Sequence, residues 1–467
     1  MTKHDELQTS AREHLMLHFA KQEIDDLLVL ERGEGPYVYD TRGKRYIDAL
    51  SSLFCAQLGY SYGSEMAAAA TRQLETLPFN TNWATAHPAS IQLAERLSDL
   101  APGGDSRVLF TGGGSESVEA AWKLVREHFL AIGQPQRTKA IARKVAYHGV
   151  TLGALSFTGV DKFKTDFGTP PIDVAHVSNT NSFRATDGSD PEAFCRRLLD
   201  EVEDAILAAG PDEVALIIAE PVQNAGGCLV PPPGYWAGLR RLADTYGALL
   251  MADEVITGFG RLGEWFGSTR VDAEPDLISV AKGLTSAYAP MGAVLARSSV
   301  VQPLVENGRM LRHGITFGGH PLSAAIALKS IEIFERDQVL ENVRALEPHL
   351  HARLDELRAL PIIGDVRGAG FFWAMELVKD EAGTRFEQSE RDQLLRSFLP
   401  KRLREAGLIA RCDDRGDSVL QIAPPLVSDR ALLDEIVDRL AEVFTDAGTE
   451  MGLAARAGAG AGELTRV

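Results

Sequence analysis

The stretch from residue 107 to residue 297 alternates short apolar runs with amphipathic segments, and this alternation limits the possible folds more than any other feature. Continuous apolar strands separated by helices are typical of a mainly parallel sheet that helices cover on both faces. The pattern therefore predicts an α/β domain. The apolar runs are residues 108–110, 140–142, 214–219, 249–251, 277–280 and 292–295.

Two of these runs lead to an ionisable residue. Asp253 follows residues 249–251, and Lys282 follows residues 277–280. A buried carboxylate or amine needs a partner or a shifted pKa, and ligands of an open α/β sheet bind at the carboxyl ends of its strands. An acid and an amine in one crevice suit pyridoxal phosphate, because the lysine bonds to the aldehyde and the acid keeps the pyridine nitrogen protonated. A structural Asp–Lys ion pair explains the two residues equally well.

Composition argues against several classes of partner. A net charge of −17 disfavours a nucleic-acid or anionic-membrane surface. The N-terminus lacks an apolar signal core, and no apolar run approaches the length of about 18 residues that a membrane span needs. We therefore expect a cytoplasmic protein without a metal, nucleic-acid or membrane partner. A reducing compartment and the lack of structural zinc also fit the four cysteines, which are far apart and without CxxC spacing: Cys55, Cys195, Cys228 and Cys412.

The regions outside the alternating stretch give weaker signals. Residues 10–30 predict a helix. Residues 36–48 predict a hairpin, because aromatic and β-branched residues alternate around an Asp…Gly turn. A smaller α+β region begins near residue 364, and the Ala/Gly-rich end predicts a disordered tail.

A glycine-rich turn, residues 111–117, follows the first apolar run and precedes an amphipathic helix. Ser115 is the expected N-cap, and the glycines leave backbone N–H groups accessible to an anion at the positive helix end. The turn lacks the dinucleotide, Walker A and nucleophile-elbow patterns. Alone, it predicts either a phosphate site or a capped turn that binds nothing.

Three further residues follow apolar runs. Tyr147 and His148 come after residues 140–142, and Glu220 comes directly after residues 214–219. An aromatic ring at this edge can stack on a planar cofactor, although a half-buried Tyr–His pair is the alternative. Glu220 fits a direct contact and a structural hydrogen bond equally well.

Together, these motifs resemble the class III (ω-) aminotransferases of pyridoxal phosphate fold type I. The match runs from residue 43 to residue 426. It implies an α/β fold, in which a large domain with a mainly parallel seven-stranded sheet flanked by helices is joined to a smaller α+β domain. The most specific segments are residues 112–117, 147–149, 220–223, 253–255, 258–261, 281–283 and 313–321.

The resemblance also implies a domain organisation. Residues 1–85 would contribute to the small domain and to the dimer interface. Residues 86–325 would form the large cofactor-binding domain, residues 326–450 the C-terminal small domain, and residues 451–467 the disordered tail.

The resemblance assigns roles around the cofactor. Lys282 would be the catalytic lysine, bonded to the cofactor and later moving a proton, and Asp253 would hold the pyridinium. The other expected cofactor contacts are Gly114 and Ser115 at the phosphate, joined by Thr316 of the partner subunit, with Tyr147 and Val255 on the two ring faces and His148 and Glu220 beside them. The active unit would then be a homodimer or a tetramer.

The substrate side is implied in the same way. Arg411 would reach a substrate carboxylate, although a surface arginine is the alternative. The other expected substrate contacts are Phe54, Trp83, Tyr147 and Ala225.

Three positions depart from parts of the family. Gly112 stands where the family usually has Asn. Ala225 stands where the γ-aminobutyrate and ornithine enzymes carry a Glu that masks their substrate arginine, and Ile256 stands where they have Gln. The last two resemble the amine:pyruvate and β-alanine:pyruvate subgroup.

The implied function is transfer of an amino group from an ω-amino acid or primary amine to pyruvate by a ping-pong mechanism, with pyridoxamine phosphate as the form between half-reactions. Use of 2-oxoglutarate is the first alternative. A same-fold aminomutase or racemase, which needs no keto-acid acceptor, is the second. An oxidoreductase without its dinucleotide motif and a silent cofactor-binding protein are weaker alternatives.

Overall fold

The structure is a computed structural model that describes residues 2–21 and 26–453. The strands in this part of the chain are β1 Leu30–Glu34, β2 Tyr37–Asp40, β3 Arg45–Asp48, β4 Ser106–Thr111, β5 Lys139–Arg143, β6 Asp173–Val177, β7 Val214–Ala219, β8 Leu249–Asp253, β9 Leu277–Val280, β10 Gly292–Arg297, β11 Ile363–Ala369, β12 Phe372–Leu377, β13 Leu408–Ile409, β14 Arg411–Asp413 and β15 Val419–Ile422.

The helices follow the same numbering. They are α1 Lys3–His14, α2 Ser51–Phe54, α3 Gly63–Thr76, α4 Pro88–Leu100, α5 Gly114–Ala131, α6 Leu152–Phe157, α7 Pro191–Ala209, α8 Tyr235–Tyr246, α9 Gly267–Arg270, α10 Ser298–Glu306, α11 Pro321–Arg336, α12 Val339–Asp355, α13 Gln388–Asp392, α14 Leu399–Glu405 and α15 Arg430–Glu450. Short 3₁₀ turns and a π-helical turn, Gln393–Phe398, complete the set.

The central sheet has seven strands in the order β4-β10-β9-β8-β7-β5-β6. All neighbouring pairs from β9 to β6 are parallel, whereas β10 is antiparallel to both β9 and β4. The six apolar runs correspond to six of these strands, so the predicted mainly parallel seven-stranded sheet is confirmed. The apolar runs do not include β6, because its sequence Asp-Val-Ala-His-Val interrupts the apolar pattern at the sheet edge.

Helices cover both faces of this sheet. Successive side chains of a strand point to opposite faces, and Ile217 and Leu250 belong to the core that contains residues of α7 and α8. Their neighbours Ile218 and Met251 belong to the core that contains residues of α5 and α10. Every residue of β7 is buried, which explains why this strand is apolar throughout.

The described residues also form two smaller sheets. β11, β12, β15 and β14 form an antiparallel sheet in that order. β1, β2 and β3 form a second sheet, in which β13 pairs in parallel with β3, so strands near the two ends of the chain are joined. The predicted hairpin is present as β2 and β3. The domain boundaries themselves stay a prediction.

The helix predicted for residues 10–30 is wrong. α1 ends at His14, where the Leu15 backbone turns extended, with a φ of −110° and a ψ of 122°. Residues 15–21 and 26–29 are not helical. Residues 454–467 of the predicted tail lie outside the described residues.

Candidate active site

The predicted residues meet at a cavity of about 470 Å³ at the carboxyl ends of β8 and β9. Eight of the thirteen predicted cofactor and substrate residues line it: Gly114, Ser115, Tyr147, His148, Glu220, Asp253, Val255 and Lys282. Phe54, Ala225, Arg411, Trp83 and Thr316 do not line it. Tyr147 belongs to both predicted sets, the cofactor contacts and the substrate contacts. The cavity is therefore lined by every predicted cofactor contact except Thr316.

Lys282 lies two residues beyond the end of β9, at the start of a 3₁₀ turn, Lys282–Thr285. Its φ of +40° lies in a region that non-glycine residues seldom adopt, and such residues cluster at functional sites. Burial lowers the pKa of the Lys282 amine, and the thiol of Cys55 and the carboxylate of Asp253 oppose this effect. A lowered pKa increases the neutral fraction, which is the nucleophilic form of an amine.

Asp253 ends β8 as a buried carboxylate, 4% exposed. His148 Nδ1 lies 2.7 Å from Asp253 Oδ2, and the Ser279 hydroxyl donates to Oδ1 over 2.9 Å. The Val255 N–H also donates to Oδ1, over 3.1 Å. Three donors compensate for the burial of this charge. The other ring nitrogen of His148, Nε2, is buried without a partner among the residues described.

The glycine-rich turn leads into α5, whose first turn has no side-chain cap among the residues described. The N-cap is Gly113, not Ser115 as predicted, because Gly114 already has helical geometry. A glycine at position 114 lets the backbone pass close to Val255, since an added Cβ would lie 3.1 Å from the Val255 methyl groups. Gly113 supplies no side-chain cap, so the helix end has free donors for an anion.

Gly112 is held by a local contact. Its N–H donates to Glu116 Oε2 over 2.7 Å. A Cβ at this position would lie 2.9 Å from the same oxygen. Glycine at position 112 thus leaves room for the Glu116 carboxylate, which lies over the turn.

Glu220 makes the contacts expected if its role is a structural hydrogen bond, which was one of its two interpretations. Arg143 Nη2 lies 3.0 Å from Glu220 Oε2, both side chains are buried, and the Tyr147 N–H donates to Oε1 over 3.3 Å. Sequence reasoning missed Arg143, although it ends the apolar β5 just as Asp253 ends β8. The Glu220–Arg143 pair therefore fixes the backbone that carries Tyr147.

Three predicted substrate residues lie beside the cavity. Phe54 is buried and makes an edge contact with Phe372. The guanidinium carbon of Arg411 lies 6.0 Å from the Phe54 ring centroid. Burial and the charge of Arg415 lower the pKa of Arg411 to about 10, so its charge persists at neutral pH. Ala225 is fully buried, and its carbonyl accepts from the Gln223 amide.

Trp83 and Thr316 lie on the protein surface instead. Trp83 is 61% exposed and lies against Gly314. Thr316 is exposed on the turn at residues 316–319. Next to it, the exposed rings of Phe317 and Phe79 pack with centroids 5.7 Å apart.

The cavity also contains residues that the motifs did not indicate. Cys55, Asn224 and Met291 line it. Cys55 directly follows the predicted Phe54, and this adjacency was the available signal. Asn224 likewise directly precedes the predicted Ala225, whereas Met291 comes from a loop whose sequence carries no comparable mark.

Within residues 2–21 and 26–453, no three His, Cys, Asp or Glu side chains are grouped so that they could hold a metal ion. None of the helices described has the length and apolar character required to cross a membrane.

The groups at the cavity have the chemistry to hold pyridoxal phosphate. The open end of α5 can accept the phosphate, and a lysine with a lowered pKa can bond to the aldehyde. The buried Asp253 can pair with a protonated ring nitrogen. The partnerless Nε2 of His148 leaves one polar atom available in the same region.

Comparison with known proteins identifies the family. The model of the class-III aminotransferases matches residues 19–444. A probable aminotransferase of Mycobacterium tuberculosis is 46% identical over 95% of this chain and 95% of the relative. A putrescine–pyruvate aminotransferase of Pseudomonas aeruginosa is 39% identical over 88% of each chain.

Solved structures agree with this match. An (S)-enantioselective ω-transaminase of Thermomicrobium roseum superposes with a TM-score of 0.91 at 36% identity, covering 96% of this chain and 99% of its own. The ω-transaminase of Pseudomonas jessenii in complex with PMP gives a TM-score of 0.90 at 34% identity, with the same coverage. The chain therefore belongs to the class III aminotransferases and is a pyridoxal-phosphate-dependent enzyme of fold type I.

Proposed function

We propose that this enzyme transfers an amino group from an ω-amino acid or a primary amine to pyruvate by a ping-pong mechanism. The observation that carries the proposal is the environment of Arg411. Its guanidinium lies beside Phe54 and the site, and no residue in the described ranges accepts a hydrogen bond from it. Ala225 provides no carboxylate that could mask it. A free, half-buried guanidinium is suited to bidentate binding of a small keto acid.

The cofactor side supports the first half-reaction. Bound pyridoxal phosphate supplies an aldehyde that takes up amino groups and a ring that accepts an electron pair. Lys282 anchors the cofactor, and Asp253, oriented by His148 and Ser279, holds a proton on the ring nitrogen. Once an incoming amine displaces it, Lys282 is a tethered base that moves the substrate proton.

The remaining cofactor contacts complete the proposal. Gly114 and Ser115 bind the phosphate at the start of α5, together with Thr316 of the partner subunit. Tyr147 stacks on one face of the ring and Val255 packs on the other.

The substrate pocket is proposed to lie between Phe54, Tyr147 and Arg411, with Ala225 and Trp83 at its borders. Arg411 binds the carboxylate of pyruvate or of an ω-amino acid. The pyruvate acceptor is supported by the relative from Pseudomonas aeruginosa whose name specifies pyruvate. It is also supported by Ala225 and Ile256, which depart from the γ-aminobutyrate and ornithine pattern.

A homodimer, or a tetramer built from it, is part of the same proposal. Exposed apolar patches mark interaction surfaces, and Phe79, Trp83 and Phe317 are 41%, 61% and 64% exposed. Thr316 lies on this surface, which supports its contribution to a neighbouring site. Light scattering after size exclusion would measure the mass, and a monomer would contradict the shared site.

A cytoplasmic location is proposed from the cysteines. All four are free thiols, and Cys195 and Cys228 are buried. This state fits a reducing compartment. Fractionation of cells that express a tagged chain would test it.

The decisive experiment is a visible spectrum of the purified enzyme loaded with pyridoxal phosphate. Addition of 1-phenylethylamine or β-alanine without an acceptor should bleach the cofactor band, and pyruvate should restore it. Recovery with 2-oxoglutarate alone would keep the aminotransferase but reject pyruvate. Product formed from the amine without any keto acid would indicate an aminomutase or racemase.

A further inference from the structure

A second arginine lies next to Arg411 and has no part in the function proposed above. Arg415 stands in the turn between β14 and β15, and its guanidinium carbon lies 5.7 Å from the Tyr147 ring centroid. Arg411 is at the start of β14, and its guanidinium carbon lies 6.0 Å from the Phe54 ring centroid. Two guanidinium groups thus face one region of the site from a single hairpin.

The two arginines differ completely in their partners. Arg415 Nε donates to Asp413 Oδ1 over 2.9 Å and to Oδ2 over 3.0 Å, and Nη2 also donates to Oδ2. The backbone N–H of Arg415 donates to Oδ1 over 2.9 Å. The side chains of Arg415 and Asp413 are only 4% and 1% exposed. Arg411, in contrast, has no acceptor in the described part of the chain.

Asp413 is the carboxylate that could neutralise Arg411. The two residues are two positions apart in β14, so their side chains leave the strand on the same face. Burial and the Arg415 charge lower the pKa of Arg411, and the nearby Asp413 charge opposes them. A buried charge that loses its partner is strongly destabilised. Without Arg415, Asp413 would therefore gain most by turning to Arg411.

We propose that Arg415 is a positioning residue, which holds Asp413 away from Arg411 and so keeps Arg411 free for the substrate carboxylate. The proposal rests on the proposed function, in which Arg411 binds that carboxylate. The Asp413–Arg415 pair and the small side chain of Ala225 then have the same effect, because each prevents an internal carboxylate from occupying the guanidinium. The pair thereby favours carboxylate-bearing substrates over amines that lack this group.

The test uses Arg415→Gln and the double variant Arg415→Gln/Asp413→Asn in the loaded enzyme. The amine half-reaction is followed with β-alanine, which has a carboxylate, and with 1-phenylethylamine, which has none. Arg415→Gln should lower the ratio of the two kcat/KM values at least about 10-fold, the effect of losing a hydrogen bond to a charged group. The double variant, in which no carboxylate remains to mask Arg411, should recover most of the ratio.

A binding measurement gives a readout that does not depend on turnover. Calorimetry with propionate, an unreactive short carboxylate, should show a Kd at least about 10-fold weaker for Arg415→Gln. The double variant should again bind nearly as well as the parent enzyme. If Arg415→Gln does not fold, Arg415→Lys takes its place, because it keeps a charge but loses the planar fork, and its ratio should fall in the same direction.

Arg411→Ala, measured with the same two amines, distinguishes failure of the proposed role of Arg411 from failure of the positioning role of Arg415. Equal losses for both amines in Arg411→Ala would reject the proposed role of Arg411. A selective loss in Arg411→Ala without one in Arg415→Gln would reject only the positioning role of Arg415. An unselective loss in Arg415→Gln that the second substitution does not reverse would likewise show that the pair only supports the fold.

Discussion

The two charged side chains Asp253 and Arg411 are held in opposite ways. Asp253 accepts hydrogen bonds from His148, Ser279 and Val255, which are contributed by three separate segments of the chain. Arg411 belongs to a short edge strand, and its guanidinium has no acceptor in the described ranges. A group that must stay with a cofactor through both half-reactions benefits from fixed partners. A group that must bind and release a substrate carboxylate in every cycle benefits from having none.

The largest expected effect comes from Lys282, which the proposed function uses twice. Lys282→Ala should abolish the cofactor band of the anchored form and lower kcat by at least about 10³-fold, within the range for loss of an acid–base group. Lys401→Ala, a substitution of a 79% exposed side chain on α14, is the matched control. Retained turnover in Lys282→Ala would contradict the assignment of Lys282 as the catalytic lysine.

Asp253→Asn tests the fixed side of the comparison. We expect kcat to fall about 10²-fold, as for removal of one preorganised electrostatic group. The geometry should survive, because an amide can keep the contacts to Ser279 and Val255. Single-turnover bleaching by an amine measures the step, and an unchanged rate would show that Asp253 is only structural.

Arg411→Ala tests the free side. The KM for pyruvate should rise at least about 10-fold, because a charge-assisted contact contributes ~1.5–3 kcal/mol. The kcat/KM for 1-phenylethylamine should change much less. Arg312→Ala, a change of an exposed arginine, is a suitable control for steady-state kinetics.

The lowered pKa of Lys282 predicts the pH dependence of cofactor uptake by the apoenzyme. Only the neutral amine attacks the aldehyde, so the rate should rise about 10-fold per pH unit below the pKa and level off above it. Burial lowers that pKa, so the plateau should begin below pH 10.5, the ordinary pKa of a lysine amine. Stopped-flow absorbance would measure it, and a rate still rising above pH 10.5 would contradict the buried amine.

Ser279→Ala should have the smallest effect. Asp253 keeps two of its three donors, so a decrease in kcat of only about 2- to 10-fold is expected from one lost hydrogen bond. A loss as large as that of Asp253→Asn would show that the hydroxyl, and not the set of donors, positions the carboxylate.

The contrast between Asp253 and Arg411 also shows which parts of the site could be predicted from the sequence. Asp253, Lys282 and Glu220 follow apolar strands of a parallel sheet, so their shared edge follows from the pattern. The Arg415–Asp413 pair could not be predicted, because a hairpin sequence does not show which of two nearby arginines, Arg411 or Arg415, will pair with a carboxylate. Serine is a usual cap, so the sequence predicts an N-cap at Ser115, but the three glycines before it allow the helix to begin earlier.

The parallel pairing of β3 with β13 has a consequence for synthesis of the chain. Leu408 pairs with Ile47 across about 360 residues. At about 5–20 residues per second, β3 emerges roughly 20–70 s before its partner strand exists. During that interval the free edge of β3 could pair with another nascent chain, and exposed strand edges are sites of aggregation. Expression yield should therefore depend on chaperones that bind the first 50 or so residues, even though the central sheet lies wholly between the two strands.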